Sequence, residues 1–162
     1  MSETPLTHLD AHGRPRMVDV GEKPETLREA TAEGRIVTSP ATVRAITEGS
    51  TPKGNVFLIA ELAGITAAKR TADLIPLCHP LPLTGVKVIL QADMELPGVW
   101  ARATTRVSGR TGVEMEALMA VSVALLTVYD MCKAMDRGMR IEGVRLLSKE
   151  GGRSGIWVSE DS

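Results

Sequence analysis

TGVEMEALMAVSVALLTVYDMCKAM, Thr111 to Met135, is the stretch that decides the fold, and it reads as one long helix with polar chemistry at both ends. Thr111 followed three residues later by Glu114 has the form of a capping box, which sets the expected start. From Ala117 to Tyr129 the only polar side chains are Ser122 and Thr127, so the run is apolar on every face and is expected to be buried all round. Glu114 and Glu116 open it, and Asp130 and Lys133 close it. A membrane span needs roughly 20 predominantly apolar residues, so the expectation is the core helix of a soluble protein.

Asp130 and Lys133 are three apart, which puts a carboxylate and an ammonium on neighbouring parts of one helical face. Such a pair is often only a solvated ion pair. At the end of an apolar helix, however, desolvation can move both pKa values towards proton transfer. Glu116 precedes Asp130 by fourteen residues, so the two face within about 40° of each other yet lie about 21 Å apart along the axis. Two copies packed antiparallel about a two-fold would bring Glu116 of one chain near Asp130 of the other. The expectation is a site at a subunit interface.

At 162 residues the chain is sized for one hydrophobic core, hence one domain. Apolar content is an ordinary 43%, but Phe57, Trp100, Tyr129 and Trp157 are the whole aromatic set, so aliphatic residues and Met must build the core. So few rings make base stacking an improbable use, and a net charge of −1 offers no footprint for nucleic acid or an anionic membrane. Cys78 and Cys132, without a secretory apolar segment ahead of them, are expected to be free thiols in a reducing cytoplasm. Cys78-His79 adjoin, but no second pair at zinc-site spacing accompanies them, so no metal is expected.

Outward from the central stretch the chain divides into a flexible N-terminal arm over 1–14, one domain over 15–158 and an acidic tail over 159–162. Lys23 to Ala30 has a proline near its start followed by helix formers and predicts a helical segment, with Arg28 either solvated or a phosphate contact. Thr31 to Thr38 predicts a strand, and Ser39-Pro40 caps a helix over Ala41 to Glu48. The glycine-flanked turn Gly49 to Gly54 presents Lys53. Asn55 to Thr71 predicts a helix whose Ala60, Ala63, Gly64, Ala67 and Ala68 permit close backbone approach, with Lys69 near its end. Asp73 to Leu83 carries Pro76, Pro80 and Pro82 and is a stiff connection, a good platform for an imidazole at His79 that must not move. Thr84 to Leu96 and Val99 to Val107 form a hairpin about Pro97-Gly98. Gly138 ends the long helix, Met139 to Leu147 is a last strand, and Ser148 to Gly155 is a glycine-rich loop bearing Lys149 and Arg153, followed by a short extended end. The economical fold is α+β, ferredoxin-like, an antiparallel sheet with helices on one face.

AAKRTADLIPLCHPL (Ala67 to Leu81), TGVEMEAL (Thr111 to Leu118) and YDMCKA (Tyr129 to Ala134) resemble the signatures of the MoaC family, the cyclic pyranopterin monophosphate synthases of molybdenum cofactor biosynthesis. The likeness runs from Met17 to Gly155 with three motifs in order and no departure at the motif positions. It implies a cytoplasmic lyase of ferredoxin-like fold, without cofactor, that acts after a radical SAM step on GTP, with functional coupling to that GTP cyclase. The implied substrate is 3′,8-cyclo-7,8-dihydroguanosine 5′-triphosphate, rearranged to cyclic pyranopterin monophosphate with release of pyrophosphate. The implied assembly is a homohexamer, a trimer of dimers with sites at dimer interfaces.

Carried over motif by motif, the resemblance makes Asp130 and Lys133 the catalytic pair. Leu77, Cys78, His79, Met115 and Glu116 line the substrate pocket, and Glu114 adjoins it. Rebuilding a purine into a pterin moves protons on and off nitrogen and carbon, which suits an Asp, a Lys and a His with tuned pKa values. A triphosphate needs paired cations, for which Lys53, Lys69, Lys149 and Arg28 are the candidates. Positive charge there would also stabilise the leaving pyrophosphate. The rival reading is a non-catalytic oligomer that binds a phosphorylated metabolite, and it leaves the Asp130–Lys133 pair without a task.

Overall fold

The computed structural model describes residues 8–160, so positions 1–7 of the expected arm and 161–162 of the expected tail lie outside it. Small and β-branched residues on alternate positions build the centre. In β1 (Thr26–Val37), Ala30, Ala32, Gly34 and Ile36 turn inward, and β1 pairs antiparallel with β3 (Gly98–Gly109) on one side and β4 (Arg140–Glu150) on the other. Outside β3 lies β2 (Gly85–Asp93), and outside β4 the two-residue β5 (Trp157–Val158), giving the order β2-β3-β1-β4-β5. Because β3 is antiparallel to both β1 and β2, those two run parallel with β3 between them. This split β-α-β arrangement is compatible with the ferredoxin-like expectation, and the class is α+β.

The helices are α1 (Pro40–Glu48), α2 (Val56–Lys69), the single turn α3 (Thr71–Leu74) and α4 (Glu114–Cys132). Ser39 and Asn55 cap α1 and α2 by accepting from the amides of Thr42 and Leu58, and Pro40 sits in the first turn of α1 as expected. Both α2 and α4 pack on the inward face of the sheet and against each other, in one core with Val88, Leu90, Val99, Ala101, Ala103 and Val107. Gly64 makes the helix contact close: a Cβ there would lie 2.9 Å from the carbonyl oxygen of Ala120. The opposite face of the sheet is polar. Glu33, though buried, accepts from Arg102 at 3.0 Å and Arg145 at 3.1 Å, and Arg35 pairs with Glu142 at 2.8 Å.

Four local expectations fail. Thr26 to Ala30 is strand, not helix, because its partners in β3, from Gly109 to Thr105, supply a ladder that outweighs a weak local propensity. The capping box does not form: Val113 holds the cap position without a side-chain bond, and the Glu114 carboxylate lies 3.2 Å from Lys149 Nζ instead. The helix ends at Cys132, and the segment up to Gly138 is a turn in which Asp136 accepts from the Gly138 amide and from Thr38 Oγ1. Ser148 to Glu150, expected in the glycine-rich loop, belongs to β4.

The burial of α4 also differs from expectation. Ala117, Ala120, Val121, Ala124, Leu125, Val128, Met131 and Cys132 form a buried stripe at helical spacing. Met115 and Leu126 on the rest of the helix are exposed, as are Leu58 and Leu62 of α2. An apolar helix surface is left uncovered within one chain.

Candidate active site

The prolines of the segment after α3 prevent regular structure and hold Leu77, Cys78 and His79 against the first turn of α4. There a cleft of about 320 Å³ is lined by Leu77, Cys78, His79, Leu81, Thr111, Gly112, Glu114, Met115 and Glu116, with Val18, Val20, Lys23 and His8 closing it from the N-terminal side. Six of the expected site residues, drawn from two stretches more than thirty positions apart, thus share one cavity. His79 Nε2 is 2.6 Å from the carbonyl oxygen of Val18. A carbonyl only accepts, so Nε2 carries the hydrogen and Nδ1 is left as the ring's free acceptor.

Glu116 is 4% exposed. Burial pushes its carboxyl up to about 7, its own amide opposes the rise, and the charge of Glu114 adds to it. The cleft therefore holds a carboxyl group that exchanges its proton near neutral pH. Burial also raises the Cys78 thiol, with Glu116 adding to it, which disfavours its thiolate.

At the opposite end of α4 the turn over Gly49 to Gly54 delivers Lys53. Its ammonium donates to Asp130 Oδ2 at 2.7 Å and to the Asp130 carbonyl at 3.1 Å, while Lys133 Nζ donates to Oδ1 at 2.8 Å. Lys133 first, then Lys53, hold the Asp130 carboxyl down at about 2. The three side chains are about half exposed, so a single chain does not supply the desolvation expected of this pair. What it supplies is a carboxylate held between two ammonium groups, a set with a net positive charge.

The remaining candidates fall in two places. Arg28 and Lys149 stand together beside Glu114, Gly112 and Gly151, next to the cleft, and Arg28 Nε donates to the Gly109 carbonyl at 3.0 Å. Lys69 is exposed in the last turn of α2 and does not line the cleft. Thr111, Lys23, Val18 and Val20 were not singled out from sequence as site residues. Thr111 was read as a cap, and the others join the cleft only through the path of the chain ahead of β1. Among the described residues no group of three His, Cys, Asp or Glu is arranged to hold a metal.

A cleft holding His79 and the raised carboxyl of Glu116 at one end of a helix, with a lysine-flanked carboxylate at the other, suits an enzyme acting on a small molecule. The chain belongs to the MoaC family, whose family model matches residues 17–152. It is 63% identical over 155 residues to the cyclic pyranopterin monophosphate synthase of Methylobacterium sp. (strain 4-46), covering 96% of this chain and 97% of that one. It is 57% identical over 157 residues to the protein of the same name from Chloroflexus aggregans, covering 97% and 95%.

Proposed function

We propose that this chain is a cyclic pyranopterin monophosphate synthase, a lyase of molybdenum cofactor biosynthesis. It converts 3′,8-cyclo-7,8-dihydroguanosine 5′-triphosphate to cyclic pyranopterin monophosphate and pyrophosphate. The observation that carries this beyond the names of relatives is the gathering of Leu77, Cys78, His79, Glu114, Met115 and Glu116 about one cleft. In this reading the purine-derived ring lies in that cleft, where Glu116 and His79 Nδ1 exchange protons with ring nitrogens. Asp130 and Lys133 are the catalytic pair, and Lys53, drawn onto Asp130, joins them. Arg28 and Lys149 hold phosphate, and the exposed Lys69 is the outermost cation assigned to it. The working unit spans 15–158.

The cleft and the Asp130 group sit at opposite ends of a helix of 19 residues, about 21 Å apart between Glu116 and Asp130. One chain therefore holds two half-sites. The exposed Leu58, Leu62, Met115 and Leu126 support a dimer that packs these helix surfaces antiparallel and joins each cleft to a partner's Asp130, within a trimer of dimers. Free Cys78 and Cys132 support a reducing, cytoplasmic setting, where coupling to the radical SAM cyclase supplies substrate. The experiment is turnover of enzymatically prepared cyclic dihydroguanosine triphosphate, following pyrophosphate and pyranopterin, with Lys133→Ala and Asp130→Asn alongside. Product from wild type and little from either variant supports the reading. A wild type that binds the compound and releases no pyrophosphate refutes it.

A further inference from the structure

The N-terminal wall of the cleft is built by the chain ahead of β1, where residues 8–16 fold into a turn of their own. The His8 carbonyl accepts from the Arg16 amide at 2.8 Å, the Asp10 amide donates to the Arg14 carbonyl at 3.0 Å, and Leu9 and Pro15 bridge antiparallel. Asp10 closes this turn with its side chain, Oδ1 accepting from the amides of His12 at 2.8 Å and Arg14 at 2.9 Å. Gly13, at φ +74°, supplies the left-handed residue that the reversal needs. The chain leaving the turn is fastened to the body at two main-chain carbonyls. Val18 takes His79 Nε2 at 2.6 Å, and Gly21 takes Arg110 Nη1 at 2.6 Å. As a result His8, at the start of the turn, lines the same cleft as His79, Cys78 and Glu116, while His12, four residues on, does not.

The chemistry of the cleft gives His8 a task. A fused nitrogen heterocycle is flat and binds best with a flat group on its face. None of Phe57, Trp100, Tyr129 and Trp157 lines the cleft, whose apolar walls are Leu77, Leu81, Met115, Val18 and Val20. The planar rings there are the two imidazoles, of His79 and His8. His79 spends Nε2 on the Val18 carbonyl and is held in place. His8 is exposed and is carried by a turn bonded within itself, so it is able to close on a ring that has already entered.

We propose that His8 is a substrate-binding residue whose imidazole packs against the face of the bound heterocycle, and that Asp10 is the positioning residue that holds it there. The identity of the heterocycle rests on the synthase reading; the placement of His8 in the cleft does not. The assignment extends the working unit beyond residue 15 to His8, so part of the expected flexible arm belongs to the site.

The test uses the full chain and the cyclic dihydroguanosine triphosphate. Steady-state kinetics are compared for wild type, His8→Ala, His8→Phe, Asp10→Ala and the double variant His8→Ala/Asp10→Ala, with His12→Ala as control. His8→Ala is expected to raise KM about 3- to 10-fold with kcat within about twofold, and His8→Phe, which keeps a flat ring, to recover most of the loss. Asp10→Ala should act in the same direction and add nothing once His8 is gone, because it acts through His8. His12→Ala should behave as wild type. In parallel, His8, His12 and His79 are the three histidines of the chain, so a histidine-labelled sample gives three ring signals, assigned with the variants. Adding the cyclic triphosphate should move the signals of His8 and His79 and leave that of His12 in place. With wild type turning over, a KM indifferent to His8→Ala or a His8 signal that the compound does not move overturns the proposal and leaves the synthase reading intact. If the compound moves the His8 signal and wild type does not turn it over, the contact stands and the synthase reading falls.

Discussion

Replacing Glu116 with Gln should make the protein more stable at pH 8.5 and leave it nearly unchanged at pH 5. The carboxyl is raised from 4.5 to about 7 by burial, so the folded chain holds this proton over a range in which the unfolded chain has lost it. The contribution of Glu116 is therefore most favourable below pH 4.5 and is lost as pH rises through 7. Glutamine has the shape and neutrality of the protonated form and removes that loss. A shift of this size corresponds to at most about 3 kcal/mol at one pK unit per 1.36 kcal/mol. The group faces a cleft open to water, and screening there reduces the expected gain to about 1–2 kcal/mol. Urea unfolding of both proteins at pH 5 and pH 8.5, at one protein concentration, reads the difference directly. Parallel pH dependence in the two proteins would show that Glu116 titrates as an ordinary carboxylate, and its assigned role as a neutral-pH acid would fail.

Lys133→Ala should raise the Asp130 pKa from about 2 more than Lys53→Ala does, because the Lys133 bond is the largest of its causes; carboxyl carbon shifts followed through an acid titration give the order, and the reverse order would contradict the arrangement. Gly64→Ala should destabilise by about 1–3 kcal/mol, the usual cost of an intruding methyl in a close-packed contact, since its Cβ would meet the Ala120 carbonyl; thermal unfolding at unchanged stability would mean the helices part easily there.

Much of this architecture was legible from local signals. The alternation of Val99, Ala101, Ala103 and Thr105 against Arg102 and Arg106 announced β3 and its buried face. The cap at Ser39 and the small residues around Gly64 did the same for α1 and α2. The misreadings share a cause, which is pairing over long sequence distance. Thr26 to Ala30 has helix-forming residues but meets β3 some eighty positions on, and Glu114 leaves its capping role for Lys149. Lys53 reached Asp130 across 77 positions, a meeting that no spacing announced. The face of α4 that stays uncovered was invisible for a different reason: an all-apolar helix reads the same whether its own chain or a second copy hides it.

The central claim is that each site is made from the cleft of one chain and the Asp130 group of another. Mixing two inactive variants tests it: Glu116→Ala, damaged only in the cleft, and Lys133→Ala, damaged only at the other end of α4, are combined under conditions that let subunits exchange. With interface sites, half of the dimers are mixed and each has one undamaged site of two, so activity should recover to about a quarter of wild type. If every site is built within one chain, each chain in the mixture still carries a lesion, and the mixture would stay as inactive as its parts.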